Sequence, residues 1–380
     1  MKVVYCHCSI YNPGGMERVL LNKVTYLVER LGWTVTVVTT DQKGREPFYA
    51  FPGGVKIVDL GINYTDDNNK NPIGKILGYL KRRRLHKKRL TELLMQEKAD
   101  IVVSLFPSES SFLPQINDGS KKVLELHFNK FFRLQYNRSG LLGLIDSWRT
   151  REDEKLVRKF DKFVVLSNED RGYWGDLSNI EVIPNAALFD GEDYSSTESH
   201  RVIAVGRLDY QKGFDRLVKA WDIVQRDEQL KSWRLDIFGQ GEWQDMLQRM
   251  IDELGLQDSI KLNAPTKNIG QEYASSSMLV MSSNYEGFPM VMIEAMAKGL
   301  PVVSFDFKCG PKDIISHGEN GLIVKNGDIE ALAQAMKKMM LNNEERRQMG
   351  ERARKVVNEY SEEVVMRKWI TLFDSLVDAK

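Results

Sequence analysis

The strongest constraint in this chain is a recurrence: short runs rich in Val and Ile, each followed by a stretch whose apolar residues keep helical spacing. The runs fall at 2–8, 33–39, 100–105, 122–127 and 162–167, then at 201–205, 233–238, 278–282 and 301–305. Strands separated by helices cannot close as hairpins and pair in parallel through crossovers, so the pattern predicts α/β sheets with helices on both faces. Between the fifth and sixth runs, Asp190-Gly191-Glu192-Asp193-Tyr194-Ser195-Ser196-Thr197 is polar and small, without an apolar period, and is read as an interdomain linker. One domain is thus expected over 1–190 and a second over 199–360. A last helix, over 361–377 after the polar break near Asn358, is expected to pack back on the first domain. With 380 residues, 42% of them hydrophobic, two cores can be filled.

Charge and cysteine usage exclude several classes. Fifty-four basic residues nearly balance 53 acidic ones, so no global field favours a polyanionic partner, and nucleic acid is not expected. Three cysteines, Cys6, Cys8 and Cys309, are too few for a disulfide framework, and Cys6 and Cys8 lie in a run that reads as a buried strand. The start, Met1-Lys2-Val3-Val4-Tyr5, has no signal-peptide pattern and no apolar run reaches spanning length, so a reducing, cytoplasmic setting is expected. The five histidines and three cysteines show no zinc-ligand spacing.

The most informative segment runs from Ser282 to Pro301: a strand ends, a turn carries Glu286-Gly287-Phe288-Pro289, and a helix starts near Pro289 and stops at Gly299. Ligands of open parallel sheets bind beyond the carboxyl ends of strands, where Glu286 falls, with Glu294 about a helical turn further in. Amides at the helix start suit an anion, and Glu294 can take a ribose diol. Glu286, beside the phosphates, would repel them and suits sugar hydroxyls instead. A second turn, Gly206-Arg207-Leu208-Asp209-Tyr210-Gln211-Lys212-Gly213, brings Arg207 and Lys212 off another strand end. A planar fork and a mobile point charge suit a diphosphate whose charge grows as its glycosidic bond breaks.

These two segments, Gly-Arg-Leu-x-x-x-Lys-Gly and Glu-Gly-Phe-Pro followed by Glu-Ala-Met-Ala-x-Gly-x-Pro-Val-Val, resemble the retaining glycosyltransferases of family 4, most clearly over residues 200–330. The resemblance implies a GT-B fold: two Rossmann-like domains facing each other across a cleft, with the nucleotide-sugar donor in the second and the acceptor mainly in the first. It implies Arg207 and Lys212 on the donor diphosphate, Glu294 on the ribose and Glu286 on the transferred sugar, with the backbone around Phe288, Pro289 and Met290 surrounding sugar and phosphate. Where many relatives carry Gly-Gly-x-Pro-Glu, this chain has Cys309-Gly310-Pro311-Lys312-Asp313, with Asp313 expected in the acidic place. The segment is similar to members that use UDP-hexose or UDP-N-acetylhexosamine in surface-polysaccharide pathways. No cofactor and no metal is implied, since the nucleotide sugar is a substrate.

In the first half, Gly14 and Gly15 follow the first strand, where the family places paired glycines; without Cβ atoms they let the backbone approach a phosphate or a sugar. His127 ends the run Val123-Leu124-Glu125-Leu126, and the resemblance gives it the donor sugar's anomeric centre to support. Gly239, in Gly239-Gln240-Gly241, resembles the nucleotide-side glycine turn, and Asn185 has a family counterpart near the linker. Phe131, Phe132 and Trp148 are candidates for the acceptor side or for the core.

Residues 81–89, Lys81-Arg82-Arg83-Arg84-Leu85-His86-Lys87-Lys88-Arg89, form a basic helical stretch with apolar residues at 77, 80, 90, 93 and 94. Within 75–94 it is read either as a peripheral contact with an anionic membrane, suited to a polyprenyl-linked acceptor, or as a solvated connecting helix. Two other functions stay open on the same fold: a non-catalytic nucleotide-sugar binding protein, and a nucleotide-sugar epimerase, which would form product without an acceptor.

Overall fold

The computed structural model describes residues 1–67, 69, 71–134, 140–189, 191 and 193–378; Asp190 and Glu192 of the expected linker fall outside it. Among the described residues the strands form two sheets, each wholly parallel. The first comprises β1 (Lys2–His7), β2 (Thr34–Thr39), β3 (Lys56–Asp59), β4 (Ile101–Ser104), β5 (Lys121–Glu125), β6 (Lys162–Val165) and β7 (Ile180–Val182), in the order β3-β2-β1-β4-β5-β6-β7. The second comprises β8 (Arg201–Val205), β9 (Arg234–Phe238), β10 (Ile260–Asn263), β11 (Met278–Met281), β12 (Val302–Asp306) and β13 (Gly321–Lys325), in the order β10-β9-β8-β11-β12-β13. Both orders reverse direction at one point, between β1 and β4 and between β8 and β11, as in dinucleotide-binding folds.

Central strands are buried on both faces, which is why they read as unbroken apolar runs: Ile101, Val102 and Val103 in one sheet, Leu279, Val280, Val302 and Val303 in the other. The helix Phe214–Gln225 covers the second sheet with Leu217, Val218, Trp221 and Val224, all fully buried. Strands β3, β7, β10 and β13, none of them among the expected runs, are the four sheet edges. An edge strand is half exposed, so its apolar run is interrupted, as in the Lys56-Ile57-Val58-Asp59 of β3. Strand β1 stops at His7, and Cys8, expected in the buried strand, is exposed beyond it.

The chain forms two compact units, one of Met1–Leu166, Arg171–Ile183 and the chain from Met366 onward, the other of Ser167–Asp170 and Pro184–Val365. After β7 the change of unit falls at Ile183. Within the polar stretch Ser195 N donates to the carbonyl of Lys298 at 2.8 Å, and shortly before it Ala187 N donates to that of Tyr360 at 2.9 Å, all within the second unit. The terminal helix Glu362–Asp378 returns to the first unit, with Trp369 and Phe373 buried and Phe373 against Trp33 at 6.1 Å between ring centres.

Candidate functional site

In the second unit β8 and β11 are neighbours at the reversal point, so the turns after them meet. There the Lys212 Nζ donates to Glu286 Oε1 at 2.7 Å, and Ser283 Oγ donates to the same oxygen at 2.7 Å. Gln211 Nε2 donates to Glu286 Oε2 at 3.0 Å, while Gln211 Oε1 accepts from Arg207 at 2.8 Å. Glu286 is buried, whereas the Arg207 side chain is exposed, 3.3 Å from Asp209. The two cations therefore each stand beside a carboxylate, and the local charge is close to balanced. Gln211 and Ser283, which orient Glu286, were not among the residues singled out from sequence; nor was Arg216, which donates to the Ser282 carbonyl and to Asn326 at 3.0 Å and so ties the two turns together. Uncharged amides and hydroxyls in turns carry no pattern that sets them apart from solvated ones.

The helix after Glu286 spans Met290–Ala297, with Pro289 as its N-cap and no side chain capping its amides. Glu294, on this helix, accepts from the Tyr273 hydroxyl at 3.5 Å; Tyr273 is buried, and burial together with Glu294 pushes its phenol well above the usual range, so it stays a donor. Gly239 is explained by backbone packing: a Cβ there would lie 1.8 Å from the Gly206 carbonyl oxygen, and one at Gly241 would lie 2.3 Å from that of Leu208. The glycine turn after β9 thus locks against the Arg207 turn, with Leu208 N donating to the Gln240 carbonyl at 3.0 Å. Phe288 is buried, and a Cβ at Gly310 would press on Pro289 at 2.9 Å, so the Cys309-Gly310 segment braces the Phe288–Pro289 turn. Asp313 accepts from the Glu169 amide at 3.3 Å, and burial holds its carboxyl above the usual range. Asn185 is buried in the passage after β7.

In the first unit, the helix Gly15–Thr25 starts at Gly14 without a side-chain cap. The Glu17 carboxylate folds over Gly14, close enough that a Cβ there would be 2.1 Å from its Oε2; a Cβ at Gly15 would meet nothing. A carboxylate at this helix start places negative charge where a phosphate would approach. His7, at the end of β1 and not singled out from sequence, is buried with neither ring nitrogen hydrogen-bonded, its Nε2 3.7 Å from Glu17. His127 is also buried, its Nε2 3.2 Å from Glu125 Oε1. Glu125 is clasped by Lys23 Nζ at 2.6 and 2.7 Å; burial alone would raise its pKa, but Lys23 and His127 outweigh it and hold the carboxyl down at about 2.

Beyond the carboxyl ends of β4 and β5 a cavity of about 670 Å³ opens within the first unit, lined by Tyr64, Tyr79, Phe106, Arg133, Trp148 and Asp153 among others. Its size lies in the usual range for small-ligand sites, roughly 300–1,000 Å³. Of the three aromatic candidates only Trp148 lines it; Phe132 packs on the core and edge-on to Phe106, and Phe131 lies against Tyr173. The basic stretch lies on the helix Pro72–Glu97. Several of its charges serve the fold: Arg82 pairs with Asp67 at 2.7 Å, Arg83 donates to Ser111 at 3.2 Å and Lys87 to Gln115 at 2.9 Å, while His86 is buried against Tyr64 and Phe112. Leu90 and Leu94 are buried, but Leu77 and Leu80, expected on the same partly buried face, are exposed together with Ile73 and Ile76. No helix among the described residues is long and apolar enough to cross a membrane.

Two sheets of dinucleotide-binding order, with a lysine–carboxylate pair and an uncapped helix at the reversal point of one, are the setting in which the comparisons with known proteins identify a glycosyltransferase of the GT-B type. The family model described as Glycosyltransferase Family 4 matches residues 13–187, and that of Glycosyl transferases group 1 matches 192–356. The amylovoran biosynthesis glycosyltransferase AmsD of Erwinia amylovora is 33% identical over 272 residues, covering 67% of this chain and 75% of the relative. The chain belongs to this glycosyltransferase family. An uncharacterized glycosyltransferase of Haemophilus influenzae is 29% identical over 97% of this chain and 98% of its own length. In fold the chain is similar to S. aureus TarM, solved with Fondaparinux, alpha-GlcNAc-glycerol and UDP, at TM-score 0.79 and 19% identity over 98% of this chain and 99% of that one. A sucrose-phosphate synthase from Thermosynechococcus elongatus matches at TM-score 0.80 and 18% identity, each chain fully covered.

Proposed function

We propose that this enzyme moves a hexose or N-acetylhexosamine from a UDP donor to a hydroxyl of a glycan or lipid-linked glycan, with retention and without a metal, in surface-polysaccharide assembly. The Lys212–Glu286 pair beside the uncapped helix start carries the reading. The names of relatives agree with it: amylovoran biosynthesis for one, a poly(ribitol-phosphate) alpha-N-acetylglucosaminyltransferase for another, and UDP in the TarM complex.

In this reading the second unit holds the donor. Glu294 takes the ribose diol, the amides around Phe288 and Met290 together with Arg207 and Lys212 take the diphosphate, and Glu286 takes the hydroxyls of the transferred sugar. Because Lys212 already serves Glu286, an arriving diphosphate shares this cation with the carboxylate rather than meeting a bare charge. As the bond from the anomeric carbon to the diphosphate oxygen breaks, the oxygen takes the acceptor proton on the same face, and the acceptor oxygen bonds to the anomeric carbon. The developing charge is spread over Arg207, Lys212 and the helix start. His127 orients the sugar, and the aromatic cavity of the first unit receives the acceptor. The exposed Ile73, Ile76, Leu77 and Leu80, beside Lys81 and Arg84, would rest on an anionic membrane when the acceptor is lipid-linked.

The test is incorporation of label from UDP-glucose, UDP-galactose and their N-acetyl counterparts into a glycan fraction, with the anomeric configuration of the product read by NMR. Product formed without acceptor would favour an epimerase, and binding without turnover a non-catalytic protein.

A further inference from the structure

Three side chains from separate elements of the first unit meet at the carboxyl end of β5. Lys23 comes from the helix Gly15–Thr25, Glu125 is the last residue of β5, and His127 follows two residues later. All three are buried. Lys23 Nζ donates to both Glu125 oxygens, at 2.6 and 2.7 Å, and lies 3.7 Å above the ring centre of Trp369 on the returning terminal helix. His127 Nε2 is 3.2 Å from Glu125 Oε1. A buried charge is costly unless it is paired, and the lysine and glutamate cancel each other. An ionised carboxylate only accepts hydrogen bonds, so the Nε2 facing it must carry the hydrogen.

We propose that Glu125, kept as an anion by Lys23, is a positioning residue: it fixes His127 as the neutral imidazole with hydrogen on Nε2, leaving Nδ1 as an acceptor for a substrate hydroxyl. The proposal rests on the reading that His127 serves the transferred sugar, and it adds the atom through which it does so. Lys23 and Glu125 cancel each other, so His127 faces a paired carboxylate held in a fixed direction rather than a bare charge. The arrangement also gives the terminal helix a place in the site: Trp369 forms the aromatic wall over Lys23, which holds Glu125, which holds His127. A hydroxyl donating to Nδ1 would be held by an acceptor whose direction is set before the sugar arrives, so its benefit belongs to turnover more than to ground-state binding.

The tautomer is measurable in the intact chain without any substrate. Long-range proton–nitrogen correlation on histidine-labelled protein at neutral pH resolves the five histidines, and a His127→Gln variant identifies the resonance. The expected pattern is a protonated Nε2 and an unprotonated Nδ1; hydrogen on Nδ1, or on both nitrogens, overturns the proposal. Glu125→Gln should give mixed tautomers and lower kcat for UDP release from UDP-glucose or UDP-N-acetylglucosamine, by about 10–100-fold if it behaves like partners that orient ligating histidines, with donor KM little changed. If that variant unfolds because Lys23 loses its partner, the double variant Lys23→Met, Glu125→Gln keeps the site neutral and must show the same loss of tautomer preference. Retention of a pure Nε2–H tautomer in whichever variant folds overturns the role of Glu125. Should the parent use neither donor, the donor reading fails while the tautomer measurement still decides this one.

Discussion

The two units share a strand order but differ in how much charge they leave exposed. At the reversal point of the second sheet Arg207 is exposed, while half-buried Lys212 is paired with buried Glu286 beside an uncapped helix. In the first unit the charges are drawn inward, Lys23 closing on Glu125 beneath His127, and what the unit offers outward is an aromatic cavity with Tyr79 and Trp148 at its rim. The same topology brings loops together at the same end of a sheet, and the side chains then decide what those loops present. Arg207 stays accessible, whereas the Lys212–Glu286 and Lys23–Glu125 pairs are both largely withdrawn from solvent.

That contrast can be broken most forcefully at Trp369. Trp369→Ala should cost about 3–5 kcal/mol, as for large buried aromatic truncations, and the loss should be confined to the first unit. Hydrogen exchange would show it as lost protection in β1 and β2 with β8 and β11 unchanged; equal loss in both units would contradict the division.

Acid should also act on the first unit first. Burial pulls the His86 imidazole down to about 4, so the unfolded chain takes up a proton that the folded one refuses. The stability owed to neutral His86 is complete above about pH 6.5 and is lost as pH falls toward 4, amounting to about 3 kcal/mol. The Glu125 contribution goes only lower, as pH falls from about 4.5 toward 2. Denaturant midpoints measured across this range should drop in the parent and flatten in His86→Gln, and an unchanged slope would remove His86 from the account.

In the second unit the largest effect belongs to the leaving group. Lys212→Ala and Arg207→Ala, assayed at saturating donor and acceptor, should lose about 3 kcal/mol of transition-state stabilisation, about a hundredfold in kcat. Parental turnover at saturation, with only KM raised, would reduce these residues to binding. Smallest of all should be the response to EDTA, where activity is expected to persist; a lost rate restored by Mg²⁺ or Mn²⁺ would contradict the proposed diphosphate site.

The second unit was also the more legible of the two. Most of the residues proposed for the donor occupy two short turns whose glycines, prolines and charges stand at fixed offsets, and the structure brings Lys212 and Glu286 to 2.7 Å. The first unit assembles its polar group from residues far apart in the chain: Lys23 and Glu125 are separated by a hundred positions and Trp369 by far more, and no local pattern announces such a contact. His7 looked like part of an apolar strand because its neighbours are core. Central strands were visible as apolar runs, whereas the edges β3, β7, β10 and β13 were not, since a half-exposed strand mixes charges into its period. The basic stretch hides its partners in a related way: Arg82, Arg83 and Lys87 bind other parts of the first unit, and no local pattern announces those contacts.

The second unit is proposed to hold the nucleotide by itself, and calorimetric titration of UDP distinguishes this from a shared site. The parent should bind UDP, Trp148→Ala should bind it equally well, and Glu294→Ala should bind it about tenfold or more weakly, because a ribose diol loses a charged acceptor worth roughly 1.5–3 kcal/mol. Unchanged affinity in a folded Glu294→Ala, or affinity lost in Trp148→Ala, would contradict it.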